Sequence, residues 1–171
     1  MKNPAITSFI LLILILGFSF ASAGDMLINK TYGGSLADQA YSARQTSDNG
    51  YILAGYTNSF GAGSFDFWLI KTNSTGSMQW NKTFGGTGVD EVYSVQQTSD
   101  NGYILAGYTG SFGAGSYDFY LVKTNSTGGM EWNKTYGGTI DDYAKSVQQT
   151  SDGGYILAGY TNSFGAGSFD F

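Results

Sequence analysis

Six aspartates stand where oxygen chemistry could be done. Asp38, Asp90 and Asp142 form one series and Asp66, Asp118 and Asp170 another, each spaced by 52 residues. Glu91 and Asp141 add to the first series. Carboxylates brought to one surface bind hard cations, which want several oxygens converging on a point. Flanked by aromatic rings, they could equally hold an array of sugar hydroxyls. Paired carboxylates can also hydrolyse glycosidic bonds without histidine. The competing reading is that each Asp caps its own Gly-rich loop by accepting backbone N–H bonds. Recurrence of every Asp at the same loop–strand junction favours capping.

Other chemistries are excluded by composition. The 171 residues include no Cys and no His. Disulfides, thiolate or imidazole metal sites and Ser-His-Asp triads cannot form. Calcium is the one cofactor left open, and the identity of any metal is not specified. Asp48, Asp100 and Asp152 lie in Thr-x-Asp-x-Gly turns, where the expected role is to tie a tight hairpin. Trp68, Tyr120, Trp80 and Trp132 could stack on sugar rings, but at alternating strand positions they read as core between sheets. Gly61-Ala62-Gly63 precedes no helix and is no nucleotide fingerprint. Arg44, Lys145 and Glu131 break the repeat and read as surface variation. A net charge of −5 with dispersed acids argues against nucleic acid, which needs a basic stripe.

The elements that must position these residues are read from an internal repeat. Lys30-Thr31-Tyr32-Gly33-Gly34 returns at Lys82 and at Lys134, and between residues 30–81 and 82–133, 38 of 52 positions are identical. A fixed period near 50 marks propellers and related arrays. Each unit reads as four strands, a to d, over residues 40–46, 51–57, 65–72 and 78–84. Turns at Asp48-Asn49-Gly50 and Asn73-Ser74-Thr75-Gly76 separate them, with a Gly-rich loop between b and c. Strand b is apolar almost throughout, as expected when both faces are covered. The expected fold is all-β: β-propeller blades of four antiparallel strands, about three and incomplete, with units 30–81, 82–133 and a partial 134–171.

The combined pattern Trp-Asn-Lys-Thr-Tyr/Phe-Gly-Gly, Asp-x-x-x-Ser, Thr-Ser-Asp-x-Gly-Tyr-Ile-Leu-Ala-Gly-Tyr-Thr and Gly-x-Gly-Ser-x-Asp-x-x-Leu-x-Lys-Thr resembles the propeller repeats of large secreted archaeal and bacterial surface proteins. The resemblance covers the chain from Lys30 onward. It implies a kelch-like or quinoprotein-like propeller displayed outside the cell, and it brings no catalytic residues with it.

Residues 1–23 read as a signal peptide. Lys2 precedes an apolar run over residues 6–20, and Ala21-Ser22-Ala23 is a small-x-small cleavage pattern. The alternative is an uncleaved anchor, the one route by which the chain would meet a membrane. The remainder, 24–171, starts with a strand d (residues 26–32) and stops a few residues into a strand c. Either the chain is part of a longer protein or copies self-associate through open blade faces, and the first is favoured because the second would end a subunit inside a strand. Asn29, Asn73, Asn81, Asn125 and Asn133 head glycosylation sequons in the c–d turn or on strand d. If the host glycosylates exported proteins, sugar is expected first on the turn residues Asn73 and Asn125. The function expected is a non-enzymatic secreted or cell-surface binding or adhesion module for a glycan or protein. The alternatives are a structural envelope component and, less favoured, a hydrolase or dehydrogenase.

Overall fold

The computed structural model describes residues 28–171, so the expected leader and the first two residues of the N-terminal strand lie outside the described residues. The described chain is all-β, without a helix. Strands β1 (Asp38–Gln45), β2 (Tyr51–Thr57), β3 (Asp66–Thr72) and β4 (Met78–Phe84) form one antiparallel sheet in sequence order. β5 (Asp90–Gln97), β6 (Tyr103–Thr109), β7 (Asp118–Thr124) and β8 (Met130–Tyr136) form a second. β9 (Asp142–Gln149) and β10 (Tyr155–Thr161) make a two-stranded third, with one further bridge between Thr161 and Asp170.

Local chemistry explains the hairpins. Asn49 and Asn101 turn the a–b corner with φ of 63° and 65°, and Gly153 does so in the third copy with φ 85°. Asn tolerates this left-handed region better than other side chains, and Gly has no penalty there. Asp48 and Asp100 each accept the amide of the second following residue, Gly50 at 3.0 Å and Gly102 at 2.9 Å.

Packing between sheets repeats as the sequence does. Ile52, Ala54, Phe67 and Leu69 of the first sheet meet Val92, Val95, Tyr103 and Leu105 of the second. One period later Ile104, Ala106 and Leu121 meet Ala144 and Val147, with Tyr155 and Leu157 alongside. The central β6 is buried along its whole length because both its faces are covered. The same Ile shows what a neighbouring sheet does: Ile104 is 0% exposed, whereas Ile156 on the third sheet is 60% exposed. Trp68 and Tyr120 are buried, and Trp80 and Trp132 pack edge-on against Tyr103 and Tyr155.

The first strands of the sheets converge. β1 packs on β5 and β5 on β9, while no comparable contact joins β4 to β8. Side chains stitch these inner edges together: Val95 N–H donates to Ser42 Oγ at 3.3 Å and Val147 N–H to Ser94 Oγ at 3.2 Å. The sheets thus fan out from a common edge as propeller-like blades, and the fan is open rather than closed into a ring.

Residues 28–32, expected as a strand, carry no strand. Among the described residues they have no ladder partner, yet they occupy a strand-d position. Ile28 and Lys30 crowd Gly76 as Trp80 and Lys82 crowd Gly128, and the Tyr32 hydroxyl donates to the Gly76 carbonyl at 2.5 Å.

Each first strand carries a β-bulge. The register slips at Tyr41, Tyr93 and Lys145, opposite Gly55, Gly107 and Gly159. A bulge re-aims the extra side chain and sharpens the local twist.

Candidate functional site

The loops before β1, β5 and β9 and those between the second and third strands of each blade emerge at one end of the fan. Register puts them there, since Asp38 pairs with Thr57, Thr57 with Asp66, and Asp90 with Thr109. All six aspartates stand at this end.

The first series ties two loops to each other. Asp38 accepts Gly34 N–H at 2.8 Å and Ser59 Oγ at 2.7 Å, and the Thr57 hydroxyl closes on its other oxygen. Ser59 Oγ in turn accepts Leu36 N–H at 3.0 Å. Asp142 repeats the pattern with Gly138, Thr161 and Ser163, and Asp90 with Gly86 and Ser111. Burial by itself pushes the Asp38 and Asp142 carboxyls up, but their several hydrogen bonds outweigh it and hold both below the ordinary carboxylate value.

The second series caps its own loop. Asp66 accepts the amides of Ala62 and Gly63 at 3.0 and 3.2 Å, Asp118 those of Ala114 and Gly115, both at 3.0 Å, and Asp170 that of Gly167 at 3.0 Å. Asp66, Asp90, Asp118 and Asp142 are buried, while Asp38 and Asp170 are half-buried.

Adjacent blades bring the two series together. Asp90 N–H donates to Phe65 O and Asp142 N–H to Tyr117 O, both at 2.7 Å. Asp66 therefore comes beside Asp90, and Asp118 beside Asp142, with only Gly85 or Gly137 between the carboxylates; a Cβ on either Gly would collide with both acids of its pair. Burial and then the neighbouring Asp90 push Asp66 up, against the pull of its two amide donors. Each junction offers a cation two carboxylates, and among the described residues no cluster of three or more ligating side chains forms.

Capping has a direct expectation. Asp66→Ala removes two charge-assisted bonds and should cost about 2 kcal/mol, with Asp66→Asn losing less. Denaturant melts would check this, and an unchanged midpoint for Asp66→Ala would remove the capping role.

What these loops expose is aromatic. Phe60, Phe112 and Phe164 stand out at 46%, 45% and 61% exposure, once per blade. Phe60 leans on Trp68 with ring centroids 5.5 Å apart, and Phe112 on Tyr120 at 5.6 Å. Not all the sequon asparagines lie away from this end, since Asn81 Oδ1 accepts the indole N–H of Trp68 at 3.3 Å, beside Phe60. Asn81 and Asn133 are exposed on the outer strands β4 and β8, Asn29 is exposed in the N-terminal segment, and Asn73 and Asn125 sit in the turns at the opposite end. Asn73 Oδ1 accepts Thr75 N–H at 3.0 Å and Ser77 N–H at 2.9 Å, so the turn fixes its carbonyl oxygen.

Two lysines are not legible as functional in the sequence. Lys71 and Lys123 end apolar third strands and are 4% and 3% exposed. Lys71 reaches Asp48 at 2.8 Å, and Lys123 reaches Asp100 at 2.8 Å and Glu131 at 2.9 Å. Glu131, which reads as surface variation in the sequence, is thus a partner of a buried ammonium. The available signal is a lysine inside each apolar third strand, 23 residues after the turn Asp. Neither a protein-family model nor a curated protein matches the chain.

Proposed function

We propose that the chain belongs to a non-enzymatic secreted or cell-surface propeller of the kelch-like or quinoprotein-like kind, and that it binds a glycan or protein partner through its loop end. The row of exposed Phe60, Phe112 and Phe164 carries this reading. Buried carboxylates stiffen the loops that present the rings, so little side-chain or loop entropy is left to lose on binding. One ring per blade suits an extended ligand whose own units repeat. The test is a glycan and protein array probed with the chain and with the triple variant Phe60→Ala, Phe112→Ala, Phe164→Ala. Loss of roughly tenfold or more in affinity, with the β-sheet circular dichroism spectrum retained, is the expected result; undiminished binding would overturn it.

A second reading, a structural envelope component, draws on the bare faces of the outer blades. Ile156 is 60% exposed and Phe169 67%. An apolar cavity of about 360 Å³ opens beside Tyr51 and Leu53. On such surfaces further blades of this kind would pack. Concentration-dependent assembly seen by light scattering would favour this reading.

A further inference from the structure

The copies differ where the first strand begins. Of the 14 positions at which the first two units differ, seven lie between 35 and 44, and of nine between the second and third, five lie at 140–145. Some of these changes swap core residues, as Ala40 to Val92 and Ala43 to Val95 do, while the changes at the bulge alter what each blade presents at the inner edge. The residues of this stretch converge on the inner edge of the fan at the loop end. At the bulge the first two blades place Tyr41 and Tyr93, and the third places Lys145.

These side chains meet. Tyr41 stacks on Tyr93 with centroids 4.8 Å apart, and Tyr41 remains 39% exposed. Lys145 Nζ lies 3.4 Å from the Tyr93 ring centroid and 5.5 Å from those of Tyr143 and Tyr160. Among the described residues the ammonium has no hydrogen-bond acceptor and no ion pair. Glu91, the nearest carboxylate to act on it, is engaged by the Tyr93 hydroxyl at 3.0 Å. Burial pulls Lys145 below the ordinary lysine value, and Glu91 pulls it back up.

We propose that this mouth is a binding site for a carboxylated sugar unit, with Lys145 taking the carboxylate and the exposed ring of Tyr41 the apolar face of the sugar. A half-buried ammonium with its donors unspent favours an anion over a neutral sugar, because the anion supplies charge-assisted bonds that water supplies poorly there. A cationic ligand is disfavoured, since Lys145 already covers the Tyr93 ring. Tyrosine supplies a rigid stacking surface with few rotors to freeze. Glu91 adds an acceptor for ring hydroxyls and sets the orientation.

The inference rests on the reading of the loop end as a binding end, and the experiment separates the two. The full chain is titrated with tetragalacturonate and with maltotetraose, and binding is followed by tyrosine fluorescence and calorimetry. Wild type is expected to prefer the acidic oligomer by roughly tenfold or more, with affinity falling as salt rises. Lys145→Tyr installs the residue the other two blades carry, so it should fold; it should lose that preference, as should Lys145→Met. Tyr41→Ala should weaken the acidic oligomer while the chain stays folded by circular dichroism. Equal affinity for both oligomers, or a preference that survives Lys145→Tyr, overturns the site while leaving the binding function standing. Binding of neither oligomer overturns the site; if the triple Phe variant also leaves every array signal intact, the binding function falls with it.

Discussion

Gly107→Ala should unfold the central sheet. Gly107 faces the bulge at Tyr93, and a Cβ there would overlap the Glu91 carbonyl oxygen and come within 2.7 Å of Val92 Cα. Both obstacles are backbone atoms of β5, which is paired along its length with β6, so neither can swing away. The expected loss is about 4 kcal/mol or more, the range of changes that break a special backbone site. That is a large part of the stability a small domain has to lose. Gly153→Ala isolates the other cost of replacing glycine. Its φ is 85°, and a Cβ there meets nothing within 4 Å. Only the conformational penalty remains, about 1–2 kcal/mol. Urea melts of the two variants should differ by at least a factor of two in lost free energy; equal losses would mean that the bulge is not fixed by the facing glycine.

Asp48 and Asp100 hold the same place in two copies and should respond differently to Ala. Lys71 has one carboxylate partner, Asp48, supported by Gln79 at 3.2 Å and the Thr72 carbonyl at 2.8 Å. Lys123 has two carboxylates, Asp100 and Glu131. Removing one partner of a buried charge costs far more than losing an exposed pair. The Asp48 side chain is 55% exposed, so water offsets part of that cost. About 2–3 kcal/mol is expected for Asp48→Ala. Asp100→Ala should cost less because Glu131 stays. Adding Glu131→Ala to Asp100→Ala should restore a loss of the Asp48 size, and thermal melts would rank the set.

These turns also set the acid response. The lysine bonds, then the threonine hydroxyls, hold Asp48 and Asp100 well below the ordinary carboxylate range. A carboxyl depressed in the folded state stabilises the fold above its unfolded value, about 3.9, and that contribution is lost as pH falls further. Asp66 acts in the opposite sense: raised by burial, it lets stability decline as pH rises through its titration. Asp48→Asn should flatten the fall in melting temperature below about pH 4, whereas Asp66→Asn should leave that fall intact.

Much of the fold was legible because the repeat makes the chain report the same local choices more than once. The second and fourth strands lie where alternation and turn residues placed them, at Tyr51–Thr57 and Met78–Phe84. The Asp-x-Gly and Asn-Ser-Thr-Gly corners follow from left-handed backbone that only a few residues tolerate. Residues 28–32 misled because strand character is a pairing property: the sequence has the alternation, but the segment lies beside no described strand that it pairs with.

Near neighbours along the chain set the period, the strands and the caps, and composition alone removed thiol and imidazole chemistry. All of that could be read without coordinates. Distant contacts settled the rest: which aspartates face each other across blades, which lysines are buried, and that Lys145 rests on tyrosines from two blades. The aspartate pairs join residues 24 apart (66 and 90, 118 and 142) and the lysine pairs residues 23 apart, while Lys145 meets Tyr93 one repeat away through a bulge that re-aims its side chain; which of these residues meet in space is set by the packing of strands and blades. Nearly identical sequences can therefore differ at the one place where the blades meet.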